Sequence, residues 1–516
     1  MEQTGPKPLS GATLAITAVA LALATFMQVL DTSIANVAVP TIAGDLGSSV
    51  SQSTWIITSF AVSNGISVPL TGWCMMRFGI VRTFVVSVVL FTMASFLCGA
   101  AWSLPSLIAF RILQGAVSGP MIPGSQALLL LVFPPQRRAT ALAIWSMTTL
   151  VAPITGPILG GYISDNVSWP WLFYINVPVG LLCAFLCWSN LAQMETQTRK
   201  MPIDKTGFIL LTIWVGAFQI MLDTGKEADW FSSPLIVTEA LVAIVAFIAW
   251  VIWEMNDRHP IVDLSLFRLS NFRLGVLAFG LGYSVFFGSS VLLPIWLQTQ
   301  LGYPATWAGL VFAPAGVVAI VLTPLVARLL TRVDIRVLAT ISISMFSLSL
   351  YMRSLAPPDA SFGVLLVPTL VQGIGMSGFF MSMVSLSLNG VPAHQIPQAA
   401  SLNNFSRITA GAFGASLVTT FWDRGASLHQ TRITEVMPGP GDGAWEAAMA
   451  QMRALGLDPA QSVGAINGVV TAQAYYLSTM DFFRICALLS MLMIPIIWMT
   501  SRVRPAAGAP AVAAAD

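Results

Sequence analysis

The chain has 516 residues, of which 56% are hydrophobic and only 9% are charged, whereas a soluble domain carries roughly 25% charged residues. This composition excludes a soluble protein, and a formal net charge of +2 is too small to favour a nucleic-acid partner. The five cysteines and three histidines show no metal-ligand spacing, so we expect no metal site. The sequence therefore predicts an integral membrane protein.

Apolar runs of about 20 residues, the length that crosses a bilayer as a helix, recur along the chain. They predict fourteen transmembrane helices at residues 12–39, 51–72, 83–103, 106–132, 139–163, 170–191, 206–224, 234–254, 273–299, 305–329, 335–355, 361–389, 397–422 and 477–500. The first run has no small-residue cleavage site and is interpreted as a retained helix rather than a signal peptide. The sequence thus predicts a series of transmembrane helices that are joined mostly by short connections.

One connection is long, namely residues 423–476 between the last two helices. It is polar, contains Pro-Gly-Pro-Gly at 438–441, and has helical character near 444–456. Such a loop is either a tolerated insertion or a docking surface for an extracytoplasmic partner.

Lysine and arginine are distributed unequally between the two sets of loops. One set holds 16 of them and the opposite set, which includes Arg353, holds 5. Because cytoplasmic loops are enriched in these residues, both termini are predicted to be cytoplasmic.

The first six predicted helices resemble the last six. With an offset of 258, Gln114-Gly115 falls on Gln372-Gly373 and Gly156 falls on Gly414 without a gap. The predicted organisation is an N-terminal tail, a six-helix half, two inserted helices with flanking loops, a second six-helix half that includes loop 423–476, and a C-terminal tail. Their limits are 1–11, 12–191, 192–272, 273–500 and 501–516.

Two six-helix halves are typical of secondary transporters, which move one half against the other around a site near the midplane. The sequence has no G-x-x-x-x-G-K-[ST] loop, so we expect a gradient rather than ATP to drive transport. A membrane enzyme or sensor is disfavoured, because there is no nucleophile–histidine pair and no soluble output domain.

Three charged residues, Asp31, Arg111 and Arg407, lie inside predicted spans, where each costs on the order of 2.5–3.5 kcal/mol by insertion scales. Residues this costly are expected to be functional. The repeat gives them uncharged counterparts: Thr369 for Arg111, Thr149 for Arg407, and a position near Val285 for Asp31. Each charge is therefore single, which indicates an asymmetric task such as proton handling.

Four segments resemble those of one family. They are residues 30–40 (LDTSIANVAVP), 111–115 (RILQG, followed by Gly119), 152–161 (APITGPILGG) and 169–180 (WPWLFYINVPVG). Together they make the chain similar, over essentially its whole length, to the major facilitator superfamily. More narrowly, it resembles the fourteen-helix drug–proton antiporters, and within them the inner-membrane subunit of tripartite pumps of the EmrAB type. One motif departs, because Met76 stands where the superfamily has an acid that latches the halves.

The resemblance implies an all-helical membrane protein of the major facilitator fold that is not an enzyme and uses protons rather than a cofactor. Asp31 is the expected proton carrier and Arg111 its partner in coupling. Asp223 and Arg407 are further candidates for proton coupling, and Arg407 could instead line the substrate path. The helix-5 motif is expected to seal the two halves through Gly156, Pro157, Gly160 and Gly161.

The implied function is proton-coupled export of hydrophobic drugs and toxic compounds, including weakly acidic ones, across the inner membrane. The alternative is export of one endogenous metabolite or siderophore. The expected partners are membrane lipid, a periplasmic adaptor subunit and, through it, an outer-membrane channel. Adaptable apolar faces with nearby polar groups suit promiscuous binding, and the candidate substrate residues are Gln28, Asn36, Asn64, Gln126, Phe286, Phe379 and Asn403.

Overall fold

We describe the protein from a computed structural model. The structure describes residues 9–48, 53, 55–134, 137–198, 202–225, 228–257, 260–303, 305–392, 395–437 and 441–502. Within them the regular structure is helical, and most of it lies in fourteen successive rods. These are α1 (Gly11–Asp45), α2 (Trp55–Phe78), α3 (Ile80–Gly99), α4 (Leu104–Ser118 and Met121–Val132), α5 (Arg138–Asn166), α6 (Trp171–Tyr174 and Asn176–Leu191), α7 (Lys205–Thr224), α8 (Pro234–Asn256), α9 (Ser270–Thr299), α10 (Ala305–Leu310 and Ala313–Leu330), α11 (Ile335–Arg353), α12 (Phe362–Leu388), α13 (Ile396–Val436) and α14 (Pro459–Met491 and Met493–Trp498).

The rods pack in the same pairs in each six-helix set. Helix α1 packs on α5 as α9 packs on α13, α2 on α4 as α10 on α12, and α3 on α6 as α11 on α14. Helices α7 and α8 pack on each other, and α7 also contacts α2. The division of the chain into two halves remains a prediction. Two similar halves would be expected to pair their helices in this repeated way.

Eleven helices in the described part of the chain are long and apolar enough to cross a membrane, or twelve if the bent α5 counts as one span. Helices α2 and α13 complete the fourteen rods but are more polar. Their polar side chains, such as Asn64, Ser67, Asn403 and Asn404, are buried against other helices. A membrane span that faces protein rather than lipid needs less apolar surface, so α2 and α13 can cross the membrane despite their polar residues.

The long connection after α13 differs from the predicted loop 423–476. Helix α13 runs for 41 residues to Val436, about 60 Å at 1.5 Å per residue, and a short helix follows at Gly443–Ala454. Helix α14 begins at Pro459, where Asp458 and Gln461 form a capping box. Only about 20 residues of a helix cross a bilayer, so α13 and α14 continue beyond it. We call residues 423–437 and 441–476 the extension.

The two halves touch at both ends of the bundle. At the end where α1 begins and α14 ends, Ser401 on α13 donates a 2.6 Å hydrogen bond to the Val68 carbonyl on α2. Close by, a methyl group at Gly72 would lie 2.8 Å from the Gln398 side chain. At the opposite end, α5 packs against α10, with Ile158 3.6 Å from the Cβ position of Gly309. These two seams enclose the centre of the molecule.

Candidate functional site

The carboxylate of Asp31 lies at the centre of a buried polar cluster in the first half. Its Oδ2 accepts a 2.6 Å hydrogen bond from Nη1 of Arg111, and both side chains are fully buried. Its Oδ1 accepts hydrogen bonds from Nε2 of Gln114 at 3.1 Å and from Nδ2 of Asn176 at 2.8 Å. The carboxylate therefore accepts three hydrogen bonds, one from a cation and two from neutral amides.

Arg111 is held independently of Asp31. Its Nε donates to the Ile56 carbonyl at 3.0 Å, Nη1 also reaches Oε1 of Gln114 at 2.7 Å, and the guanidinium lies 4.2 Å from the centre of the Phe60 ring. Its Nη2 has no hydrogen-bond partner among the described residues. Arg111 can thus keep its place when the charge on Asp31 changes.

Gln114 and Asn176 were not singled out as site residues from the sequence. Both stand in motifs that carry the family resemblance, Gln114 in the α4 motif and Asn176 in the α6 motif. The signal was therefore present, but nothing in the sequence said that these amides point at Asp31. Each amide also has a second partner, because Gln114 accepts from Arg111 and Asn176 donates to Ser95 at 3.0 Å.

The helix-5 motif lies against the segment of α1 that carries Asp31. A Cβ at Gly156 would clash with the side chain of Ser33, and one at Gly160 would lie 2.9 Å from Cγ1 and 3.1 Å from the carbonyl oxygen of Ile34. Gly161 has open space around its Cβ position. Pro157 lies within α5, and its side chain is outside the described ones. Two of the motif's three glycines therefore set the α1–α5 distance next to Asp31.

Arg407 lies apart from Asp31, on α13 where the two halves meet. It is 4% exposed, and its Nη2 donates to Oδ1 of Asn404 at 3.2 Å. Its guanidinium lies 4.6 Å from the Tyr283 ring centre and 6.0 Å from that of Trp145. No carboxylate pairs with it among the described residues. The structure thus does not bring Arg407 to the Asp31 cluster.

Arg353 was assigned from the sequence to an external loop, and that assignment is wrong. It is 1% exposed at the end of α11, where Nη2 donates to Oε1 of Gln372 at 2.6 Å and to Oγ1 of Thr369 at 3.3 Å. Gln372 and Thr369 are the repeat counterparts of Gln114 and Arg111. The second half therefore has a buried guanidinium beside the equivalent glutamine, supplied by a different helix. Arg111 thus has a charged counterpart in space, although its repeat position, Thr369, is uncharged.

Asp223 lies at the far end of α7, where its side chain is exposed and accepts a long 3.3 Å hydrogen bond from Gln219. Asp223 is thus exposed, whereas Asp31 is fully buried. Within the described residues there is no group of three or more potential metal ligands.

The candidate substrate residues divide between structural and central positions. Asn64 ties α2 to α4 through a 2.7 Å bond to Ser118, and Asn403 ties α13 to α12 through a 3.0 Å bond to Ser387. Gln126 accepts a 2.7 Å hydrogen bond from Asn404 across the interface between the halves. The remaining candidates are buried Gln28, Asn36 (whose side chain is outside the described ones), and Phe286 and Phe379 in an aromatic cluster of the second half.

The contact between α2, which also carries Met76, and α13 includes a neutral hydrogen bond. Ser401 and the Val68 carbonyl form it, with Gly72 allowing close approach. Contact between the halves at this end therefore includes an uncharged latch.

Comparison with known proteins places the chain in one family. A family model described as Major Facilitator Superfamily matches residues 21–415. The Multidrug export protein EmrB of Escherichia coli is 46% identical over 95% of this chain and 96% of its own length. The Fatty acid resistance protein FarB of Neisseria gonorrhoeae is 44% identical over 95% and 97%. A solved structure of the proton:xylose symporter XylE shares the fold, with a TM-score of 0.59, 14% identity, and 96% and 97% coverage.

Proposed function

This chain belongs to the major facilitator superfamily, as its sequence predicted, and it exports drugs; we propose that it does so by proton antiport through Asp31. The observation that carries the proposal is the fully buried Asp31–Arg111 pair, whose atoms are 2.6 Å apart. A carboxylate at this depth is costly, and it is the only group of the pair that can exchange a proton, since arginine does not readily deprotonate.

The proton cycle uses the bonds around Asp31. In the conformation described, the carboxylate accepts hydrogen bonds from Arg111, Gln114 and Asn176. A proton that binds Oδ2 removes the negative charge, so the contact with Arg111 weakens while Arg111 keeps its bonds to the Ile56 carbonyl and to Gln114. Return of the ion pair expels the proton. Asp31 thus alternates between a paired anion and an unpaired neutral acid.

The α1–α5 contact couples this change to the movement of the halves. Ser33 and Ile34, which follow Asp31 on α1, lie against Gly156 and Gly160 of α5. Helix α5 in turn packs on α10 of the other half at one end seam. A shift of α1 on protonation is therefore passed to that seam, while the Ser401–Val68 latch closes the other end. Rocking about these two seams gives alternating access.

The protein is a multi-pass membrane protein with several apolar helices. Its location in the inner membrane with both termini cytoplasmic, which the loop charges favour, belongs to this proposal, as does the proton as the coupling ion. In this orientation the extension lies on the outer side of the membrane.

The extension is the proposed docking surface for a periplasmic adaptor, which would connect the exporter to an outer-membrane channel. It exposes large apolar side chains, among them Leu428, Val436, Leu455 and Val469. Replacing residues 443–454 with a glycine–serine linker of equal length should preserve folding and abolish co-purification of the adaptor. Unchanged co-purification would remove this helix from the docking surface.

Proton movement in reconstituted liposomes tests the proposed function. With a drug gradient imposed, wild-type protein should move protons in the opposite direction, and Asp31→Asn should bind drug but move none. Gly161→Ala, at a position with open space, is the matched control and should behave as wild type. Drug-driven proton movement that persists in Asp31→Asn would overturn the assignment.

A further inference from the structure

Three buried donor atoms at and around Arg407 have no acceptor among the described residues. The unpartnered atoms are Nε of Arg407, Nε2 of Gln126 and Nε1 of Trp145. Gln126 and Trp145 are fully buried and Arg407 is 4% exposed. A buried donor without an acceptor costs about 1–3 kcal/mol, and more when it is charged, so three together on α4, α5 and α13 call for a ligand.

The three donors belong to one cluster that spans the two halves. Asn404 uses both ends of its amide there, because its Nδ2 donates to Oε1 of Gln126 at 2.7 Å and its Oδ1 accepts from Nη2 of Arg407 at 3.2 Å. Since Oε1 of Gln126 is occupied, the free Nε2 donor remains. Trp145 faces the same guanidinium at 6.0 Å from ring centre to Cζ. The cluster thus offers N–H groups and one positive charge.

Among the described residues, two further arginines are buried, and both differ from Arg407. Arg111 is paired with Asp31 at 2.6 Å. Arg353 has one free nitrogen but lies within the second half, bonded to Gln372 and Thr369 of the adjacent helix. Arg407 combines a buried charge that lacks a described carboxylate partner with a place between the halves, where a transported molecule must pass.

An aromatic surface begins at Arg407 and leads into the second half. Tyr283 lies 4.6 Å below the guanidinium. Its ring centre is 5.8 Å from Phe286 and 6.0 Å from Phe380, and those two phenylalanines are 5.8 Å apart. A ligand that fits this arrangement has a single negative head and an apolar body.

We propose that Arg407, Gln126 and Trp145 form a recognition site for the carboxylate of amphipathic organic acids, whose apolar bodies lie on Tyr283, Phe286 and Phe380. The guanidinium binds the carboxylate in the bidentate manner that arginine favours, and the amide and indole N–H groups complete its shell. The acid enters when the halves separate, because the cluster is closed in the described conformation. This inference rests on the proposed export function and names one substrate class for it.

The test compares ligands that share a ten-carbon chain and differ only in the head group. Decanoate, decanol and decyltrimethylammonium are titrated calorimetrically into the purified full-length protein in nanodiscs at pH 7. Wild-type protein should bind decanoate at least tenfold more tightly than decanol. Arg407→Gln should weaken decanoate binding about tenfold or more, as expected for loss of a charged hydrogen bond, and change decanol binding less than twofold.

Two variants keep the test decisive if Arg407→Gln fails to fold. Trp145→Phe retains a ring and removes the N–H, so decanoate affinity should fall severalfold while decanol affinity is unchanged. Arg353→Gln removes a buried arginine at a different place and should leave the preference for decanoate intact. Equal changes for decanoate and decanol in Trp145→Phe or Arg407→Gln, or no change in either, would overturn the proposal.

Binding is measured without a proton gradient, so this outcome is independent of the proposed antiport. If wild-type protein prefers decanoate to decanol but moves no protons in liposomes, the coupling through Asp31 is refuted and the anion site is retained. Proton movement that is intact in a protein without head-group selectivity would refute the anion site alone.

Discussion

The energy stored in the Asp31–Arg111 pair can be measured by a double-mutant cycle. Asp31→Asn keeps the shape of the side chain and leaves a fully buried guanidinium without its counter-ion. Arg111→Gln leaves a fully buried carboxylate with only Gln114 and Asn176 as donors. Breaking one side of a buried pair costs about 3–5 kcal/mol, because the other charge remains uncompensated. Each single variant should lose stability by that amount.

The double variant should be less destabilised than the sum of the two single ones. With both charges removed, two neutral amides replace the pair, and no uncompensated charge is left. We expect a coupling energy of about 2–3 kcal/mol, which is the upper part of the range for residues in contact. The assay is equilibrium unfolding of the purified protein in mixed micelles, followed by tryptophan fluorescence.

A surface pair in the same chain gives the matched control cycle. Arg484 and Asp481 are 3.5 Å apart, three residues apart on α14, and their side chains are 54% and 42% exposed. Their coupling energy should stay below about 1 kcal/mol, since exposed pairs contribute little. Additive losses at Asp31 and Arg111, equal to the sum of the single variants within about 0.5 kcal/mol, would refute the claim that this ion pair is held as a unit.

Three further outcomes follow from the described contacts. Gly160→Ala should destabilise the α1–α5 contact by about 1–3 kcal/mol and slow drug export, whereas Gly161→Ala should be neutral or gain up to about 1 kcal/mol from helix propensity; thermal unfolding and export rate check both. Ser401→Ala removes the interhalf bond and should shift the population by roughly fivefold towards separation of α2 and α13, for about 1 kcal/mol, as read from distances between spin labels on these helices. Hydrogen bonds from Arg336 hold the pKa of Asp334 below its ordinary value. Asp334 should therefore stabilise the fold above about pH 4 and lose this contribution as the pH falls further. Asp334→Asn should make the free energy of unfolding less dependent on pH in the acid range, and an unchanged dependence would contradict the assignment.

Hydropathy predicted the position of most helices along the chain, because burial in lipid demands long apolar runs. It did not predict where α13 ends, since hydropathy marks the point at which a helix leaves the membrane rather than the end of its hydrogen bonds. The continuation to Val436 is polar and therefore looked like loop. The start of α14 at Pro459 was in principle readable, because Asp458 and Gln461 have the spacing of a capping box.

The buried charges show a second limit of sequence reading. Asp31 and Arg111 were recognisable because each interrupts an apolar run. Arg353 was not, since it ends a helix and so resembles a loop residue, although the structure buries it completely. An ungapped comparison of the repeats matches positions on equivalent helices. It cannot find a guanidinium that reaches the same glutamine from another helix, as Arg353 reaches Gln372.

Proton release on drug binding tests the role of Asp31 most directly. Purified protein is kept in weakly buffered detergent solutions at a series of pH values, and a pH-indicator dye reports protons after saturating drug is added. We predict that the wild type releases protons, up to one per protein, that Asp31→Asn releases none, and that Gly161→Ala releases as many as the wild type. Equal release by the wild type and by Asp31→Asn would contradict the assignment of Asp31 as the proton carrier.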